Sequence, residues 1–249
     1  MTRKLTLISG IAAAGAAALV LSACGGDEPP GPSGNGDADT DSSGSGSYSV
    51  MAEWDGCPAL SDIQAIHDYM GVTDWGSNGL TSTDIPSGMD GEAFNCGAVL
   101  AELAVFMQDN EATADREIPG TANIDVGVAP WDSDAEATEN FQARVEQLQT
   151  ALETGGTEYS NVLEGEFEGD WDETYYYAGR SDVGYLTNAI ARKGDIVIYV
   201  FIDYSNDPAV IAGEDPIFPF TDEEFTDWVL NEYLPPTYAD LLAKKESGL

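Results

Sequence analysis

One histidine, three cysteines and nine lysines and arginines are all that 249 residues hold of the side chains most used for nucleophilic catalysis, metal binding and phosphate recognition. His67 is the only imidazole, so any Ser-His-Asp or Cys-His arrangement would have to be built on it. No Gly-x-Ser-x-Gly supports one. The residue lies between Ile66 and Asp68, one position off the apolar stripe of a helix, and reads as a partly exposed structural histidine. Zinc is poorly served, because there is no His-Glu-x-x-His and no Cys-x-x-Cys. Neither glycine-rich phosphate-binding pattern follows a strand. No catalytic residue is assigned.

The shortage of basic residues excludes a further class. Against nine Lys and Arg stand 45 Asp and Glu, a formal charge of -36. Nucleic acid binding replaces counterions with Lys and Arg, and a chain this acidic repels both phosphate backbones and anionic lipid headgroups. The acids run evenly from Asp27 to Glu246, which fits a whole surface adapted to salt better than one localised site. Ca²⁺ or a basic protein are the other partners such a surface admits.

Long apolar runs are also rare. Residues 5–20 form one, too short and Ala-rich to prefer spanning a bilayer, which takes about 20 strongly apolar residues. Behind the basic start Arg3-Lys4 it has the form of an export signal. The sequence Leu21-Ser22-Ala23-Cys24 that follows is a lipobox: cleavage before Cys24 leaves a cysteine whose thiol is diacylated, and two acyl chains give a stable anchor. Residues 1–23 are therefore expected to be a lipoprotein signal peptide. The protein is placed on the extracytoplasmic face of the cell membrane through a diacylglyceryl Cys24. Losing Arg3 and Lys4 takes the formal charge from -36 to -38.

Residues 24–49 are Gly, Ser, Pro, Asp and Asn with almost no apolar side chain, a flexible tether. Asp37, Asp39 and Asp41 alternate within it as in an EF-hand loop, but Ser42 and Tyr48 stand where that loop needs glycine and a closing acid. Residues 50–249 carry enough aliphatic and aromatic residues for one core. With Cys24 lipidated, Cys57 and Cys96 remain, and outside the cytoplasm they are expected to bond.

Patterning divides this domain as follows. Leu60, Ile63, Ile66 and Met70 share one face of a helix that Gly71 stops. Ala93 to Met107 is apolar throughout; its Ala and Leu content allows a helix, but Gly97 and the flanking turn signals favour two strands of a hairpin. Residues 122–129 alternate as a half-buried strand. Ser133 and Glu136 have capping-box spacing at the start of a helix carrying Phe141, Val145, Leu148 and Leu152, ended by Gly155-Gly156. Strands are expected over 162–171, 174–178, 185–192 and 196–204, the last two joined at Lys193-Gly194-Asp195. A second capping box, Thr221 to Glu224, opens a helix that Pro235-Pro236 should break, with a short tail helix to Lys245. Such an order gives an α+β fold, an antiparallel sheet with two or three helices packed on one face and one disulfide.

A lipobox, a tether, Cys57 introducing a Leu-containing helix, Cys96 about 40 residues later at a strand, the strand-to-helix step at Asp125 to Leu152 and the Lys193-Gly194-Asp195 hairpin together form a layout. It resembles an actinobacterial lipoprotein family catalogued as domain of unknown function 3558. The resemblance implies a disulfide-linked α+β domain similar to sensor-like or ligand-holding domains of mycobacterial surfaces, with no assigned activity.

Carboxylates are the one abundant reagent. Glu164, Glu166, Glu168, Asp170 and Asp172 recur every second residue, which would put all five on one strand face and Phe167 and Trp171 on the core side. This ladder reads first as a solvated face and second as a Ca²⁺ site, since Ca²⁺ takes six to eight oxygens. In Tyr175-Tyr176-Tyr177 alternation turns Tyr176 away from its neighbours, and aromatics here fill a sheet or stack on sugars. The leading function is a non-enzymatic domain binding a small ligand, cell-wall glycan or envelope protein. The alternatives are a hydrolase of envelope polysaccharide using two carboxylates and a Ca²⁺-responsive adhesion module.

Overall fold

The computed structural model describes residues 46–85, 93–109 and 115–248. The signal, Cys24, the three alternating aspartates and most of the tether lie outside the described residues. Helices α1 (Ser47–Met51), α2 (Gly56–Ala59) and α3 (Ile63–Met70) precede strand β1 (Thr81–Thr83). Strands β2 (Phe94–Gln108) and β3 (Arg116–Pro130) follow, then helix α4 (Asp134–Thr154). A meander of β4 (Ser160–Gly165), β5 (Glu173–Arg180), β6 (Gly184–Lys193) and β7 (Ile196–Ser205) leads to α5 (Pro208–Ala212), α6 (Asp222–Trp228) and α7 (Leu234–Ser247).

The seven strands form one antiparallel sheet in the order β1-β2-β3-β7-β6-β5-β4. Two meanders are thus joined where β3 pairs with β7, and α4 is the crossover between them. The expected α+β class with an antiparallel sheet and a Cys57–Cys96 disulfide stands, the bond linking α2 to β2. Three helices pack on one face of the sheet, as expected, and α4 covers the other. Even-numbered residues of β7 (Ile196, Ile198, Val200, Ile202) pack in a large core with Ile63, Ile66 and Met70 of α3, Phe225 of α6 and Leu234 and Leu241 of α7. Odd-numbered ones (Val197, Tyr199, Phe201) face a smaller cluster with Ala137, Phe141, Val145, Leu148 and Leu152 of α4. A strand apolar on both sides is one buried on both faces, and β7 reads that way.

Three sequence expectations are corrected. Residues 94–108 are one long strand, not two, and their antiparallel partner is β3. The run bends at two bulges, between Ala98 and Ala101, where Leu100 takes a left-handed φ of 56°, and between Glu102 and Val105. A bulge absorbs an extra residue without ending the strand, and Gly97 stays in register within it. Pro235 and Pro236 do not break the last helix. Residues 229–233 form a π-helical turn between α6 and α7, and the prolines occupy the first turn of α7, where missing N–H groups are tolerated. The strand expected over 162–171 ends at Gly165.

Ser47, Tyr48 and Ser49, read as the end of the tether, lie in α1. The Ser47 amide and hydroxyl donate to the Asp195 carboxylate at 2.7 and 2.6 Å, and Lys245 donates to the Ser47 hydroxyl. The start of the fold, the end of α7 and the β6–β7 turn are thereby pinned together at one end of the sheet. The Thr221–Glu224 capping box forms as expected, each side chain accepting from the other residue's amide, while Ser133 caps α4 by accepting from the Glu136 amide and donating to the Glu136 carboxylate. Thr221→Ala is expected to cost about 1 kcal/mol, read as a lower urea midpoint.

Candidate functional site: a groove beside the central helix

Where β3, β7 and β6 run out past the C-terminal half of α4, the second face of the sheet is left open as a groove of about 440 Å³. Its size falls within the range of small-molecule pockets. Leu148, Ala151 and Leu152 of α4 form one wall, Leu186 and Phe201 lie on the sheet side, and Tyr159 closes it from the segment after the helix. These residues are where they are because α4 is amphipathic and covers β5 to β7 with Phe141 and Val145. Its last turns extend over a part of the sheet where the apolar series stops. On β7 the outward series Val197, Tyr199, Phe201 ends in Asp203, and on β3 the same face carries Thr121, Asn123 and Asp125.

The polar part is ordered by Asn123. Its Nδ2 donates to both oxygens of Asp203, at 3.0 and 3.2 Å, while its Oδ1 accepts from the Leu100 amide at the bulge of β2, at 3.0 Å. Burial pushes the Asp203 carboxyl above the ordinary carboxylate range, and the Asn123 hydrogen bond only partly offsets this. Tyr159 is raised too, by burial first and then by the Asp203 charge. Among the described residues no Lys, Arg or His lines the groove.

Asp125 sits two residues further along β3, in an adjoining shallow cavity with Thr81, Thr83, Asn95 and Gly97. Desolvation raises its carboxyl to about 6, opposed by a hydrogen bond from Asn95 and by the Arg144 charge. Its Oδ1 is buried and meets no hydrogen-bond partner among the described residues. Beside it the Tyr199 ring lies across Gly127, where any Cβ would stand 2.0 Å from the ring, and the Arg144 guanidinium covers that ring at 4.3 Å.

A larger cavity of about 880 Å³ lies on the other side of β6 and β7, lined by Arg180, Asn206, Asp207, Phe218 and Asp222 among others. Arg180, Asp207 and Asp222 are engaged in holding the chain. Arg180 grips both Asp222 oxygens, Tyr204 donates to Asp222 at 2.8 Å, and Asp207 caps α5 and accepts the amides of Ile217 and Phe218.

The residues expected from sequence fall elsewhere. Cys57 and Cys96 are bonded. Glu164, Glu166, Glu168, Asp170 and Asp172 are all exposed, but only Glu164 belongs to a strand. Gly165 and Gly169, with φ of 155° and 150°, take the chain out of the strand, and Glu166, Glu168 and Asp172 line, with Glu173, a separate cavity of about 550 Å³. Glu164 accepts from the Tyr175 hydroxyl at 2.6 Å, and Asp170 and Asp172 lie 2.8 and 3.6 Å from the Lys193 ammonium. Among the described residues no group of three or more His, Cys, Asp or Glu could hold a metal ion. Phe167 and Trp171 do pack on the core, and Tyr175 and Tyr177 face α4 while Tyr176 faces the opposite cluster. His67 is about a third exposed, bonded to Asp68 at 3.0 Å and set against Trp75. Asn123, Asp125, Asp203 and Tyr159 were not singled out by the sequence reading. The available signal is an acid interrupting a both-faces-apolar strand, as in Ile202-Asp203-Tyr204 and Ile124-Asp125-Val126.

No family model, curated protein or solved structure matches the chain. No helix among the described residues is long and apolar enough to cross a membrane.

Proposed function

We propose that this protein is a lipoprotein of the cell envelope, held by a diacylglyceryl Cys24, whose domain binds a small amphipathic molecule in the groove beside α4. The observation that carries the binding role is the groove itself: apolar walls converge on one ordered polar cluster, Asn123 and Asp203, with no internal group to fill the space. One feature supports the placement. The acidic surface keeps the domain off an anionic bilayer, leaving the acyl chains as its attachment.

Two measurements test this. Cys24→Ala should move the protein from the membrane fraction to the soluble extracytoplasmic fraction; a variant that still partitions with membranes removes the anchor. A thermal-shift screen of small amphipathic molecules should find stabilising ligands whose effect is lost in Leu152→Trp, a substitution that fills the groove from the helix. Hits indifferent to that change would place binding elsewhere.

A second reading has its own observation. Asp203 pairs across the sheet with Asn123, and Asp125 with Phe201, so the two acids are diagonal neighbours on one face, positions whose backbones stand about 7–8 Å apart. Glycoside hydrolysis uses two carboxyls about 5–9 Å apart with one kept protonated by burial, a part Asp125 would take. Release of reducing sugar from cell-wall polysaccharide, lost in both Asp125→Asn and Asp203→Asn, is the expected result on this reading. No release from the unaltered protein would end it.

A further inference from the structure

Among the described residues that line it, the groove offers a ligand negative charge and nothing positive. Asp203 lies at its polar end with a single described donor, Asn123, shared between its two oxygens. An isolated carboxylate removed from water is costly unless a cation or further donors reach it, and no basic side chain lines the groove to serve. The second negative element is α4. This helix of 21 residues ends at the groove through Ala151, Leu152 and Gly155, with no basic residue in its last turn, so the partial negative charge of its final carbonyls is uncompensated. Two rings, Phe201 and Tyr159, line the same space, and aromatic faces attract ammonium groups. The remaining walls, Leu148, Leu152 and Leu186, suit an apolar chain.

Resting on the binding role assigned to this groove, we propose that its ligand is an amphipathic organic cation, an ammonium group paired with Asp203 and carrying an apolar chain that lies along α4. Carboxylate, helix terminus and rings all favour the same sign of charge. The polar end rejects a carboxylate or phosphate, which would meet Asp203 with like charge. It also accepts an alcohol only weakly, because a hydroxyl brings a hydrogen bond but no charge. The anionic surface of the whole protein raises the local concentration of such cations and speeds their arrival.

The test is a charge series of one shape on the full chain: hexylammonium, 1-hexanol and hexanoate, titrated by calorimetry at 0.15 M NaCl, where diffuse surface attraction is screened. Hexylammonium is expected to bind at least about tenfold more tightly than hexanol, with no detectable hexanoate binding. Asp203→Asn should reduce the ammonium preference to within about twofold. Amide shifts on titration should centre on Asn123, Asp203 and Leu152. The unaltered protein alone decides the matter if the variant fails to fold. Hexanol binding as tightly as hexylammonium, with loss of both in Leu152→Trp, overturns the cation while leaving the groove as a binding site. None of the three binding, or shifts centred away from the groove, overturns the cation and the groove together.

Discussion

Replacing Cys57 and Cys96 together by alanine is expected to lower the free energy of unfolding by about 4 kcal/mol, the chain-entropy value for a cross-link spanning 39 residues. The loop it closes holds α2, α3 and β1, and these elements have little stability of their own. Helices of four and eight residues are far below the length at which a helix persists in water, and β1 is a three-residue edge strand. What fixes them is burial of Ile63, Ile66 and Met70 against the sheet and the bond from Cys57 to the fully buried Cys96. The backbones meet closely there, since a Cβ on Gly56 would stand 1.9 Å from the Asn95 carbonyl oxygen. Because the effect acts mainly on the unfolded chain, the double variant should show a steeper urea dependence as well as a lower midpoint. Reductant added to the unaltered protein should reproduce both changes. A loss below about 1 kcal/mol would mean that apolar contacts alone hold the segment to the sheet, with the bond adding nothing.

Much of this architecture is legible because its elements obey local rules. The Thr221–Glu224 capping box, the Lys193-Gly194-Asp195 hairpin, the alternation at Tyr175-Tyr176-Tyr177 and the stripe Ile63, Ile66, Met70 depend on neighbours within a turn or a strand, although Leu60, expected on that stripe, caps α2 instead. The errors arise where a long-range partner decides. Residues 94–108 could be one strand or two according to where β3 lies, and the bulges that let them stay one strand leave no pattern in a single chain. Pro235 and Pro236 end a helix unless a π turn precedes them, and that turn is set by packing Val229, Leu230 and Tyr233 into the core. The acid ladder was read as a straight face because spacing alone carries no sign of the departures at Gly165 and Gly169. The groove was the least legible feature of all. Among 45 acids, Asp125 and Asp203 differ only in sitting on strands whose two faces are both covered, a property of the sheet order and of α4's crossing.

Asp125→Asn is expected to stabilise the protein at pH 7.5 by up to about 3 kcal/mol, with the gain disappearing near pH 4. The folded chain raises this carboxyl from 3.8 to about 6, so between those values the fold holds a proton that the unfolded chain has released. Stability from this group is therefore fully present below pH 4 and is lost as pH rises through 6, the reverse of an ion-paired aspartate. The size follows from about two pH units at 1.36 kcal/mol each. Arg144 does not reverse the sign. Its charge lowers the carboxyl, yet burial prevails, so even with Arg144 in place the ionised form costs more folded than unfolded. Asparagine mimics the protonated acid and removes that cost. Urea unfolding of both proteins from pH 4 to 8 reads the prediction as a difference, in which the repulsion among the other acids largely cancels. The difference should start near zero, grow across pH 4 to 6 and level off above it. A difference independent of pH would mean that Asp125 ionises normally, and with it would go the case for Asp125 as the protonated member of a catalytic pair. A rise confined to pH 4–6 would instead locate in β3 a carboxyl that the fold keeps protonated well above the range of an exposed acid.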